Sequence, residues 1–133
     1  MLKLSILSPE RRLVEGIEVE EVTLPGSEGQ IQVLPGHAPM IGTLETGIFK
    51  YHAHGKEVTA GVISTGFFQV KNDTMVVLAE TIELRDEIDL ERARRAQKRA
   101  EETLQGAALD EHQFNKYQLK LQRALIRQQI VGQ

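Results

Sequence analysis

Leu84-Arg85-Asp86-Glu87-Ile88-Asp89-Leu90-Glu91-Arg92-Ala93-Arg94-Arg95-Ala96 is the stretch where the chain changes its grammar. Upstream lie all four prolines (Pro9, Pro25, Pro35 and Pro39) and nine of the eleven glycines. From Arg85 onward only Gly106 and Gly132 interrupt a sequence rich in Ala, Gln, Glu and Arg. Turn formers in one part and helix formers in the other predict two regions of different architecture. The expected fold class is α+β: a β-sandwich of short antiparallel strands over residues 1–84, then an antiparallel two-helix hairpin over residues 85–133.

The helical reading rests on spacing and caps. Asp89 precedes a proline-free run to about Gln105, and its carboxylate suits the free N–H groups of a first helical turn. Leu90, Ala93, Ala96 or Gln97, Ala100 and Leu104 recur at helical spacing. That stripe is mostly alanine, so another helix can approach closely. Gly106 is placed to end the helix. Asp110-Glu111-His112-Gln113 reads as a capping box that opens a second helix. Phe114, Tyr117, Leu121 and Ala124 or Leu125 form its stripe, and Leu119, Ile126 and Ile130 a second apolar edge. A loop of about five residues makes the two helices antiparallel neighbours. Such a pair is marginal unless it docks on a further surface.

The first part reads as short alternating runs. Leu4 to Ser8, Ile17 to Val22, Ile31 to Val33, Ile48–Ala53, Val58–Ser64, Phe67–Val70 and Met75–Ala79 are the expected strands. In the second of these, Ile17, Val19 and Glu21 share one face. His54-Gly55 and Asn72-Asp73 are the expected hairpin turns.

Composition excludes several classes. The net charge of −3 gives no reason to expect nucleic acid as a partner. It hides an asymmetry: residues 1–84 carry 6 Lys/Arg against 11 Asp/Glu, and residues 85–133 carry 10 against 8. No acid follows Glu111, whereas Lys116, Lys120, Arg123 and Arg127 do. Without cysteine there is no disulfide, thiolate zinc site or cysteine nucleophile. No apolar run of ~18 residues could span a bilayer. Met1-Leu2-Lys3-Leu4-Ser5 lacks the pattern of a signal peptide. A soluble, cytosolic protein is expected, reaching a membrane only through a partner. No Gly-x-x-x-x-Gly-Lys-Ser/Thr loop is present, and no catalytic set accompanies His37. His52 and His54 share a strand face, but with no third ligand they read as exposed strand residues rather than a metal site.

Leu34-Pro35-Gly36-His37-Ala38-Pro39-Met40, which follows a strand ending at Val33, resembles the signature loop of the epsilon chains of F-type ATP synthases. Three further stretches resemble that family in the same order. They are Ser64-Thr65-Gly66-Phe67-Phe68-Gln69-Val70, Val77-Leu78-Ala79-Glu80, and the helix opening Ile88-Asp89-Leu90-Glu91-Arg92-Ala93. The resemblance covers essentially the whole chain. Gln32 and Thr65 depart from it, since glycine is common at both positions in the family.

The resemblance implies a non-catalytic rotor subunit on the cytoplasmic face of the bacterial cell membrane. Its partners would be the gamma subunit, the c-ring and the alpha and beta subunits, and it would couple proton or sodium flow to ATP synthesis. Leu34, Gly36, His37, Pro39 and Met40 would form an edge facing gamma; on the residues alone, the loop is a rigid turn with His37 bonded to backbone. No cofactor is required. Some members hold a regulatory ATP, with or without Mg, in the folded hairpin, and the matching positions are Glu83, Asp89, Arg92, Arg99, Arg123 and Arg127. Guanidiniums from two helices suit a polyphosphate. The plainer reading makes Asp89 an N-cap and the arginines surface partners of carboxylates or of a helix dipole. Lys116, Lys120, Arg123 and Arg127 would serve an arm that extends into the catalytic head, meets acidic segments of beta and blocks ATP hydrolysis; against it stands a helix packed permanently on its own sandwich. The alternative from a different class is a free-standing nucleotide-sensing or carbohydrate-binding β-domain with a helical interaction hairpin.

Overall fold

A computed structural model describes residues 1–106 and 108–132 and separates the chain into two units, Met1–Leu84 and Arg85–Gln133. Ala107, in the expected inter-helix loop, and Gln133, at the end of the expected hairpin, lie outside the described residues.

The first unit contains nine strands among the described residues: β1 (Leu2–Leu7), β2 (Arg12–Gly26), β3 (Gly29–Val33), β4 (Met40–Leu44), β5 (Gly47–Ala53), β6 (Val58–Ile63), β7 (Gly66–Lys71), β8 (Thr74–Ala79) and β9 (Ile82–Leu84). β2 belongs to two layers. Its first half pairs with β1, and β1 continues through β8 and β7 to β4. Its second half lies between β3 and β5, and β5 continues through β6 to β9. The inward positions of both layers meet in an aliphatic core that includes Leu2, Leu4, Ile6, Val19, Val22, Leu24, Ile63, Met75 and Val77. Phe49 and Phe68 are fully buried in it, each side chain contributing about 1.5–3 kcal/mol of apolar burial.

The fold class agrees with the expectation, and several details differ. β2 is 15 residues long rather than short. Its pairing with β5 shifts register between Val19 and Glu21. That β-bulge inserts an extra residue, so the buried positions are Val19, Val22 and Leu24 and Glu21 stays outside. β1 pairs antiparallel with β2 but parallel with β8, while the Asn72-Asp73 turn makes β8 antiparallel to β7. That turn is a hairpin turn with both residues left-handed, at φ 52° and 55°. β4 was not expected, since Gly42 breaks its pattern. The glycine is needed there: a Cβ at residue 42 would lie 2.6 Å from the Phe68 ring. β9 is only three residues long and falls below what alternation reveals.

The second unit opens with a 3-10 turn, Arg85–Glu87, followed by α1 (Leu90–Gly106) and α2 (Glu111–Val131). Asp89 caps α1 by accepting from the Arg92 N–H at 3.1 Å. Asp110 makes the expected capping box with Gln113, accepting from its N–H at 2.7 Å. Small residues line the helix pair: Ala93 and Ala100 of α1 and Ala124 of α2 are buried, as is Ile130. The expected α2 stripe is only partly inside. Leu121 and Tyr117 are half-buried, while Phe114, Leu125 and Leu119 remain exposed.

Gly66 opens β7 opposite Ala79 of β8, and a Cβ there would collide with the Leu78 carbonyl oxygen. Backbone cannot yield as a side chain does. Gly66→Ala is therefore expected to lower stability by about 1–3 kcal/mol, read as a lower urea midpoint. An unchanged midpoint would mean that β7 and β8 are not held this close.

Candidate functional site

The Leu34–Met40 loop is built on the β7–β8 turn. Asp73 sits in the left-handed turn, and its backbone carbonyl accepts from the Lys3 N–H at 2.9 Å. Its carboxylate accepts from the Gly36 N–H at 2.6 Å. One residue thus ties β1, the β7–β8 turn and the loop together. Within the loop the His37 N–H donates to the Leu34 carbonyl at 3.2 Å, and the His37 Nδ1 donates to the Ala38 carbonyl at 2.7 Å. His37 is half-buried; Leu34, Gly36, Pro39 and Met40 are exposed. A stiff loop that presents apolar side chains can bind a partner with little ordering cost.

An apolar surface continues from it. Ile41 of β4 is 73% exposed and Phe67 of β7 52% exposed. Ile41 faces Gln69 and Thr43 faces Phe67 across the strand pair, so Ile41 and Phe67 are diagonal neighbours on the outer face. Val76 and Leu78 of β8 point the same way and are half-buried. Sequence reading missed Ile41 because it missed β4. The available signal was Phe67-Phe68, two aromatics in succession on a strand, of which only one can face the core.

A polar cluster occupies the bulge of β2. Glu20 Oε1 lies 2.6 Å from His54 Nδ1, and Oε2 lies 3.2 Å from His52 Nδ1. Glu21, beside it, accepts from Gln32 Nε2 at 3.0 Å. The two histidines thus share a carboxylate that the strand pattern did not assign to them. No group of three or more His, Cys, Asp or Glu residues arranged to hold a metal is present among the described residues.

The candidate nucleotide residues are spread over both units. Glu83 is in β9, opposite Val62 of β6. Asp89 uses one carboxylate oxygen as the α1 cap. Arg92 and Arg99 are exposed on α1, and Arg123 and Arg127 are half-buried on α2. A surface ion pair in the first turns of α1 joins Arg94 to Glu91, at 2.8 Å. The last turn of α2 contains no basic residue, so Arg123 and Arg127 lie too far back to complement the helix dipole, which acts within that turn. Lys116 is exposed, and the Lys120 Nζ lies 5.0 Å from the centre of the Tyr117 ring, a cation–π distance. No described helix is long and apolar enough to cross a membrane.

Comparison with known proteins covers both units. Residues 1–85 match the family model "ATP synthase, Delta/Epsilon chain, beta-sandwich domain", and residues 86–132 match "ATP synthase, Delta/Epsilon chain, long alpha-helix domain". The chain is 42% identical over 131 residues to the ATP synthase epsilon chain of Trichlorobacter lovleyi, spanning 98% of this chain and 94% of that one. The epsilon chain of Citrifermentans bemidjiense matches with the same identity and coverage. Among solved structures, a chain in the Euglena gracilis mitochondrial ATP synthase (OSCP/F1/c-ring, rotational state 1) shares the fold. Its TM-score is 0.84 at 23% identity, over 93% of this chain and 77% of that chain.

The bulge cluster has a pH signature. The hydrogen bond from His54 holds the Glu20 carboxyl below its usual 4.5, with the charges of His52 and His54 acting in the same direction and desolvation opposing. A carboxyl lowered in the folded state contributes stability that is present above its unfolded value and lost as pH falls through the folded one. Glu20→Gln removes that contribution. The urea midpoints of the parent chain and the variant are expected to differ at pH 7 and to converge as pH falls below the carboxylate range. A gap that stays constant with pH would show that Glu20 is not stabilised by the histidines.

Proposed function

The chain belongs to the ATP synthase delta/epsilon chain family, and from that premise we propose that it is the non-catalytic central-stalk subunit of a bacterial F-type ATP synthase, with a helical unit that regulates ATP hydrolysis. The observation that carries this is the match of both family domains end to end, 1–85 and 86–132. The sandwich is the rotor part. Its stiff loop, Leu34 to Met40, and the apolar face of Ile41 and Phe67 are surfaces for the gamma subunit and the c-ring. The alpha and beta subunits are the remaining partners. The complex puts the chain on the cytoplasmic face of the cell membrane and ties it to ion-driven rotation.

The helical unit is the regulatory part. Lys116, Lys120, Arg123 and Arg127, with no acid after Glu111, give α2 the charge to meet an acidic surface in the catalytic head. The exposed Phe114, Leu119 and Leu125 give it apolar area for the same encounter. A helix with polar and apolar groups on several sides suits more than one docked position. ATP bound by Arg92, Arg99, Arg123 and Arg127, with the second oxygen of Asp89, would favour the folded-back arm. A ligand shifts such a balance only by its differential affinity. Moving an arm from 99:1 to 1:99 takes about 5.5 kcal/mol, so ATP is one contribution among several.

In calorimetry on the intact chain, Arg92→Ala and Arg127→Ala are each expected to weaken ATP binding about ten-fold, the size of one charge-assisted hydrogen bond. Unchanged affinity in both would remove the nucleotide site. Deleting residues 86–133 is expected to leave a folded sandwich that still joins the reconstituted motor, and to raise its ATPase rate. A truncated motor as inhibited as the intact one would refute the arm's role as a brake.

A further inference from the structure

The seam between α1 and α2 contains a directional chain of side-chain hydrogen bonds. Gln97 Nε2 donates to Glu101 Oε1 at 2.6 Å. Gln128 Nε2 donates to Gln97 Oε1 at 2.6 Å and also approaches the Ala124 carbonyl at 3.3 Å. Gln97, Glu101 and Gln128 are all half-buried. The order of these bonds is forced by chemistry. A carboxylate only accepts, so Glu101 turns the nitrogen of the Gln97 amide toward itself. The carbonyl of Gln97 then faces α2, and Gln128 has to present its nitrogen.

The surroundings make this chain informative. Ala93 and Ala100 of α1 and Ala124 of α2 are buried, and alanines give a seam little shape. Ala124 is the one alanine of α2, so a slip of one turn would bring Lys120-Leu121 or Arg127-Gln128 to its place. The hydrogen bond between the two amides is made in one register only, and a slip leaves two half-buried amides without it. A single polar contact in an apolar seam is a known way of fixing register at the expense of stability. It also opens easily, because both amides regain water when the helices part; the net worth of such a bond is a factor of about five in an equilibrium.

We propose that Gln97 and Gln128 form a polar latch that sets the register of the helix pair and holds α2 against α1, with Glu101 as the positioning residue that orients it. The latch deepens the regulatory-arm reading and rests on it for its biological use.

The test is a double-mutant cycle in the intact chain, using Gln97→Met and Gln128→Met. Methionine keeps the length and helix propensity of glutamine without its amide. Each single variant removes the hydrogen bond between the helices and leaves the other glutamine only its bond within its own helix; it is expected to speed hydrogen exchange of the α2 backbone about five-fold. The double variant is expected to exchange more slowly than the product of the two effects. On a Glu101→Leu background this coupling is expected to shrink, which a purely space-filling role for Glu101 would not produce. Independent, multiplicative effects would overturn the latch. A second reading needs no variant: the side-chain amide protons of Gln128 are expected to exchange more slowly than those of exposed Gln118 and Gln122, and equal rates would also overturn it. The arm itself is judged separately, by the truncated motor, so a failed latch and a failed arm give different results.

Discussion

The sandwich depends on one strand doing two jobs. β2 pairs with β1 in one layer and with β3 and β5 in the other. Its 15 residues span roughly 50 Å at ordinary strand rise. A strand that long cannot stay flat against two layers, and the bulge between Val19 and Glu21 is where it changes its phase. The bulge keeps Val19 and Val22 both inside, although they are three residues apart. It also puts Glu20 and Glu21 side by side outside, which is why a carboxylate meets His52 and His54 there. The polar cluster is thus a by-product of closing the core.

Alternation and turn chemistry made most of this architecture legible. Asn72-Asp73 read as a hairpin turn because only a few residue types tolerate left-handed backbone, and both residues adopt it. Asp89 and Asp110 read as caps, and each accepts from the N–H three residues on. What escaped had physical causes. Gly42 hid β4, because a glycine demanded by the Phe68 ring looks like a turn signal from sequence alone. The bulge hid the inward set of β2, because period-two reasoning assumes an unbroken ladder. Of the candidate site, the loop from Leu34 to Met40 was legible through its prolines and glycine. Its anchor on Asp73 was not, since the partners are 37 residues apart. Nor was the seam chain of Gln97 and Gln128, because glutamine on a helix carries no positional signal.

The helical unit is specified more by its ends than by its middle. Its caps satisfy backbone donors that would otherwise be orphaned. Its interior, by contrast, buries mainly alanine, which removes little apolar area from water. A leucine seam would be far harder to part. With Phe114, Leu119 and Leu125 left exposed, α2 carries apolar surface beyond what the unit buries.

The parallel pairing of β1 with β8 joins Lys3 to Thr74 and Leu7 to Leu78. During synthesis, therefore, the first strand emerges from the ribosome with one of its two neighbours still some seventy residues away. The sandwich cannot close until nearly all of its own sequence has left the exit tunnel, and contacts so distant in sequence form slowly. The helical segment, whose partners are neighbours along the chain, follows directly behind. A nascent chain stalled short of residue 78 would hold an open half-sandwich, exposed to chaperones and proteases before any of the helical segment had been made.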